Sequence, residues 1–290
     1  MLFFRADGRY IISLFFLSFM SICSNSFASA WSQGEGKSQL IFNQSYYNTS
    51  HFRHADSKLV NTPQFIKIEV NPYYEYGIRD NFTVGLNSSI QSVIRDSNGE
   101  REKQTRLSYL DIFFRHELIK KDHFVISYQP LIKTSGIYSD SEQHLFGKKQ
   151  TDLEMRFLFG ADFKIPRLKI DKKFDTQPYD GQNHFINLEL AYRQHVESST
   201  AEIRFDGTLG MRPYQQWLLL GQWFLTKSMQ DDFVISAANN VITYDAVKLQ
   251  YSIVRQISSN KSIQMGYYHD VWVRNAAQGD GFIFSMWYNF

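Results

Sequence analysis

The chain has 290 residues, room for one large domain or two small ones, and a formal charge of only +2, with both signs spread along it. No basic stripe points to nucleic acid, and there is no acidic tail. The 25 Phe, 17 Tyr and 5 Trp make it rich in aromatics, yet its mean hydropathy lies below zero. Apolar residues must therefore be diluted finely among polar ones, which suits alternating strands better than buried helices.

The first 30 residues have the plan of a cleaved secretory signal. Arg5 and Arg9 give a basic start, residues 10–23 an apolar stretch too short for a typical spanning helix, and Ala28-Ser29-Ala30 a small-x-small cleavage site. The mature chain is expected to begin at Trp31. The one cysteine, Cys23, falls inside the signal behind Ile22, which is too large for a lipoprotein signal. The mature chain can then form neither disulfides nor thiolate metal sites. Beyond the signal no apolar run approaches the length of a membrane helix, so a membrane form would have to be a barrel.

From there the sequence reads as segments of ten to fifteen residues with period-two alternation. In QFIKIEVNPYYEYG, Ile66, Ile68, Val70, Tyr74 and Tyr76 fall on one face, and Lys67, Glu69, Asn71 and Glu75 on the other. Twelve strands are predicted, at about 37–49, 63–77, 82–95, 105–118, 123–134, 150–163, 184–197, 201–212, 216–228, 242–256, 261–274 and 281–290. The ninth (WLLLGQWFLT) and eleventh (SIQMGYYHDVWV) alternate poorly. Tight polar turns at 79–81, 120–122 and 258–260 follow even-numbered strands. The connections after odd-numbered strands (50–62, 96–104, 135–149, 229–241 and 275–280) are mostly longer. Outer-membrane barrels have this asymmetry, with short periplasmic turns, long outer loops and an even strand number. Both termini would then be periplasmic. Residues 164–183 (KIPRLKIDKKFDTQPYDGQN) are too long for such a turn and are expected to be a periplasmic insertion, with a docking or plug element as the other reading.

The fold class expected is all-β, a single antiparallel transmembrane barrel of about twelve strands over 31–290. A soluble sandwich also alternates, but these strands exceed the usual soluble length and fit a tilted membrane crossing. Aromatics recur near strand ends at Tyr73-Tyr74, Trp217 and Trp272, where interface girdles lie. In the closing segment FIFSMWYNF, Phe282, Phe284, Met286, Tyr288 and Phe290 share one phase. This ending resembles the C-terminal signature of Gram-negative outer-membrane barrels, which implies recognition by the barrel-assembly machinery and an outer-membrane location among lipid. Further, YYEYGIRDNFTVGL (73–86), DLEMRFLFG (152–160), NLELAYR (187–193), EIRFDGTLGMRP (202–213) and WLLLGQ (217–222) resemble an uncharacterised group of proteobacterial barrels. More distantly, they are similar to the meta-pathway phenol-degradation (MetA-like) outer-membrane transporters. That resemblance implies transport but brings no defined substrate or catalytic residue.

With the apolar phase on lipid, the other phase lists the lumen. It contains Lys67, Glu69 and Glu75; Arg95; Asp111, Arg115 and Glu117; Lys133; Asp152, Glu154, Arg156 and Asp162; Glu189 and Arg193; Glu202, Arg204, Asp206 and Arg212; and Lys248. A mid-membrane Arg or Lys facing lipid costs about 2–4 kcal/mol, which forces this phase. Strands four, six, seven and eight are the richest and are expected to form one mixed-sign wall acting as the constriction. Either these charges pair across strands and rigidify the barrel, or some line a narrow pore and select solutes. Phe65, Tyr73, Tyr109, Phe113 and Phe185 also fall inward, where they can fill space or meet an amphiphilic solute.

Other chemistry finds little support. GEGKS (34–38) lacks the first glycine of a phosphate loop and precedes a strand rather than a helix. No His has a Ser two positions on, the spacing of barrel lipases, and there is no G-x-S-x-G elbow. His195, Glu202 and Asp206 could be assembled into a protease-like set, the remaining enzyme reading. His51 and His54 lack further metal ligands, and DTQPYDG (175–181) lacks calcium-loop spacing. No cofactor, metal or catalytic residue is expected. The leading expectation is a passive channel or binding pore for small solutes, the alternative a closed structural or surface-exposed barrel.

Overall fold

The computed structural model describes residues 30–97, 100–146, 149–164, 184–197, 200–214, 216–229 and 244–290. The predicted signal before Ala30 and nearly all of the predicted insertion at 164–183 lie outside the described residues. Twelve long antiparallel strands form one sheet: β1 (Ser38–Arg53), β2 (Leu59–Arg79), β3 (Phe82–Ser97), β4 (Glu100–Lys121), β5 (Phe124–Ile137), β6 (Thr151–Phe163), β7 (His184–His195), β8 (Ala201–Tyr214), β9 (Trp217–Ser228), β10 (Asp245–Ser258), β11 (Lys261–Arg274) and β13 (Asp280–Asn289). A two-residue strand, β12 (Ala276–Ala277), pairs with Phe52 and Arg53 at the end of β1. Each long strand pairs with its neighbour in sequence, and β13 returns to β1, so the barrel closes. Closure leaves no edge, and every ladder group can be satisfied without water, as a lipid environment requires.

The strands run further than expected at the loop end. Residues 50–62 reduce to a turn between Arg53 and Leu59, and residues 96–104 to a hairpin between Ser97 and Glu100. Polar, non-alternating residues there pair as strands all the same. At the other end β2 and β3, β4 and β5, and β10 and β11 meet in tight turns, and Phe290 exchanges backbone hydrogen bonds with Ser38 (2.8 and 3.1 Å). Both termini of the described chain therefore lie at the tight-turn end.

The predicted outward phase is outward. Phe157 is 57% exposed and Phe282 60%, and Tyr74, Tyr76, Trp217, Phe284, Met286 and Phe290 are exposed with them. A barrel exterior this apolar needs lipid. Among the described residues no helix is long and apolar enough to cross a membrane.

The two poorly alternating strands have separate causes. On β9, Leu218 and Leu220 point inward against Phe185, Val254 and Trp287. Both faces of this strand are apolar because its inner face joins a core. On β11, Val247 pairs with Trp272 but Lys248 with Asp270, leaving Val271 as a bulge. The inward phase changes from even to odd numbers there. A second bulge at Ser108 on β4 does the same, because Ser89 pairs with Tyr109 and Ile90 with Leu107.

Candidate lumenal site

Two features narrow the barrel interior from its ends. At the tight-turn end, residues 30–37 fold into the lumen before β1 starts. Ala30 is fully buried, and Trp31 packs with Val125 and Leu158. The segment has no strand of its own, so side chains of the wall satisfy its backbone. Ser127 Oγ donates to Ala30 O (2.6 Å), Ser32 N to Glu117 Oε1 (2.8 Å), Gln33 N to Thr83 Oγ1 (2.8 Å) and Arg115 Nη1 to Trp31 O (3.1 Å). Glycine makes the fit possible. A Cβ on Gly160 would lie 2.2 Å from the Trp31 ring, and one on Gly77 2.1 Å from Gly34 O. GEGKS is thus the turn between this segment and β1, with Gly36 at φ +73° and Lys37 N bonded to Gly34 O (2.9 Å).

At the loop end, residues 138–146 turn inward through a short 3-10 turn (Asp140–Glu142) and a four-residue helix (Gln143–Phe146). Tyr138, Leu145 and Phe146 pack on Val93 and Phe65, both inward-facing. The Ser108 bulge turns Arg106 inward, where its Nη2 lies 2.6 Å from Glu142 Oε1. Ser139 donates to Glu142 Oε2 from its backbone N (2.7 Å) and its hydroxyl (2.8 Å). These bonds, with the Arg106 charge, hold the Glu142 carboxyl below the usual carboxylate range.

The inward charges form two groups, not the single wall expected. The first lies at the tight-turn end. Arg115, 2% exposed, donates to Glu75 Oε1 (2.7 Å), Gln129 Oε1 (3.0 Å) and Trp31 O. Tyr73 also bonds Glu75, and Lys120 reaches Glu117 (3.1 Å). The second spans β6 to β8. Arg156 contacts Glu154, Glu189 (2.6 Å) and Asp206 (3.4 Å). Arg193 contacts Glu154 (2.6 Å), Glu202 (3.3 Å) and Asp152 (3.8 Å). The lower inner face of β5 separates the groups, because Ser127, Gln129 and Leu131 are uncharged, while Lys133 above them stands between Asp111 and Asp152 in register. Glu69 stands outside both, bound by Lys67 (2.9 Å), Ser89 (2.5 Å) and Asn71 (2.9 Å). Asp111 accepts from Asn87 (3.1 Å). Arg212 lies near the tight turns, its backbone N bonded to His184 Nδ1 (3.1 Å).

The protease-like set does not assemble. His195 Nδ1 lies 2.6 Å from Asp152 and Nε2 3.9 Å from Glu202, while Asp206 belongs to the Arg156 group. Among the described residues no cluster of His, Cys, Asp and Glu could hold a metal.

The remaining wall, from β9 around to β3, is mainly neutral amide and hydroxyl. Gln250 donates to Gln222 (2.6 Å), which donates to Thr208 (3.2 Å); Ser285 donates to Asn43 (2.7 Å) and Gln39 to Asn289 (2.9 Å). Between this face and the arginine group lies a cavity of about 510 Å³, reaching from Gln33 and Glu75 to Tyr109, Phe224, Glu189 and Asp206. The amide face carries no charge to mark it in the sequence. The same period-two extrapolation reaches Gln222, Gln250 and Ser285. Residues 30–37 carry no periodic signal at all.

No family model matches the chain, and no curated protein matches its sequence. Among solved structures it is similar to the COG4313 outer membrane channel from Pseudomonas putida F1, with a TM-score of 0.66 at 9% identity over 92% of this chain and 100% of that one. It is also similar to the NanC porin, with a TM-score of 0.51 at 10% identity over 86% of this chain and 98% of that one. At such identities the likeness is one of fold, that of outer-membrane barrels. No sequence-level link to the MetA-like transporters accompanies it.

Proposed function

We propose that this chain is an outer-membrane barrel whose lumen binds and passes small polar solutes. Its termini would be periplasmic, and its closing strand would be the segment read by the barrel-assembly machinery. One observation carries this reading: the polar cavity between residues 30–37 and the inward-folded residues 138–146. A barrel built only for rigidity would fill that space with side chains, as eight-stranded barrels do. The likeness to a channel and a porin supports the reading. The constriction would lie at the Arg156 group, where an ion must pass charged side chains held on both sides.

The test is single-channel conductance of the refolded chain in a planar bilayer, with Arg156→Ala and Arg204→Ala alongside. Discrete steps that change size in either variant are expected. The competing reading is a closed barrel, favoured by the hydrogen bonds that hold residues 30–37 to the wall. A silent bilayer from a chain that shows heat-modifiable migration would select it.

A further inference from the structure

Three inward cations are held less closely than Arg156 and Arg193. Lys133 on β5 lies with its ammonium 3.7 Å from the centre of the Tyr109 ring. Lys248 on β10 sits over Phe224 (4.8 Å) and Tyr268 (5.4 Å). Each stands in register with an acid, Lys133 with Asp111 and Lys248 with Asp270, but without an ion pair within 4 Å among the described residues. The third is Arg204 on β8. Its nearest carboxylates, Glu154 and Asp206, are 3.9 and 3.8 Å away, and its Nε has no partner among the described residues.

These three converge. Arg204 lies 3.8 Å from Asp206, whose cross-strand partner Phe224 stands in register with Lys248, and 3.9 Å from Glu154 on β6, where Asp152, two residues earlier, stands in register with Lys133. The rings beneath the lysines, Tyr109 and Phe224, also line the polar cavity. Asp206, which Arg204 approaches, lines it too, so each of the three cations touches a residue of the cavity wall without lining the cavity itself. The neighbouring acids are mostly committed: Glu154 to Arg156 and Arg193, Asp152 to His195, Asp270 to Tyr47 (2.8 Å). Asp111 and Asp206 differ, each being more than nine-tenths buried and each keeping one oxygen without a donor.

Cations on aromatic faces and an unfilled guanidinium nitrogen call for a carboxylate or phosphate. Orphaned carboxylate oxygens beside an amide wall call for donors, since a buried unpaired acceptor costs about 1–3 kcal/mol. We infer that Lys133, Arg204 and Lys248 form a binding site for a small organic anion that also carries hydroxyl groups. The charged group is held by the three cations. The hydroxyls donate to Asp111 and Asp206 and exchange hydrogen bonds with Gln222 and Gln250. The inference rests on the reading of the lumen as a solute path, and its test separates the two.

The test is calorimetric titration of the refolded barrel with gluconate and, as its uncharged counterpart, glucose. The K133Q/K248Q double variant is titrated alongside, with heat-modifiable migration as the check on folding. Gluconate is expected to bind, glucose at least tenfold more weakly, and the double variant is expected to lose at least tenfold toward gluconate only. Equal binding of the two solutes, no binding of gluconate, or unchanged gluconate binding in a folded variant overturns the site. Should the double variant fail to fold, Arg204→Gln takes its place with the same expectation. Gluconate binding without conductance in the bilayer would keep the site and discard the pore.

Discussion

The inner wall has a charged side, β4 to β8, and a mainly neutral side, β9 around to β3. On the charged side the paired arginines are each held by two or more acceptors, as Arg156 is by Glu154, Glu189 and Asp206. On the neutral side Gln222 bonds Gln250 and Thr208, and Ser285 bonds Asn43, all neutral neighbours. The difference is one of replaceability. A buried charge stripped of its partner keeps its full desolvation cost, so the charged side must be preorganised. An amide that loses its neighbour can turn to water or a solute at little net loss.

The largest effect that tests this contrast is Arg115→Ala. It leaves Glu75 buried without its cation, and the expected loss is about 3–5 kcal/mol, read as a lower urea midpoint of the refolded barrel. The double change Arg115→Met with Glu75→Leu should recover most of it. If it does not, the residues around Trp31, and not the ion pair, hold that end. Phe157→Arg moves a charge to the lipid face in mid-strand and is expected to cost about 2–4 kcal/mol in the same assay. An unchanged midpoint there would show that β6 does not face lipid. Gln250→Leu should cost only about 1 kcal/mol, with a change in single-channel current. A cost equal to that of Arg115→Ala would erase the contrast between the two sides.

The smallest expected change is at the loop end. Arg106 is partly exposed, so Arg106→Ala should lower global stability by at most about 1 kcal/mol, while residues 138–146 become open to limited proteolysis. The carboxyl of Glu142 titrates below its ordinary range. Its anchoring is therefore complete above that range and is lost as pH falls through the depressed value. Native barrel at acid pH should show the same new cleavage, and protection at every pH would refute the anchoring role.

Much of the barrel is legible in the sequence because a strand with lipid on one side and lumen on the other must alternate. QFIKIEVNPYYEYG assigns Glu69 and Glu75 inward and Tyr74 and Tyr76 outward without any structure. The rule weakens where its cause does. The loop ends of β1 and β4 do not alternate, the inner side of β9 is as apolar as its outer side, and a bulge at Val271 changes phase within β11. The candidate site was legible as a set of inward positions but not as an arrangement. Nothing about Arg204 marks it as less tightly held than Arg156, two strands away in the sheet.

By itself, then, the sequence determined the class, the number of long strands and, where the strands alternate without a bulge, the side each residue takes, since these depend on local period and on the cost of a charge in lipid. Tertiary structure decided the rest: the insertion of residues 30–37, the inward fold of 138–146, and which carboxylate meets which arginine. Those outcomes depend on distances across a closed ring of strands, set by register and curvature, and no local pattern encodes them.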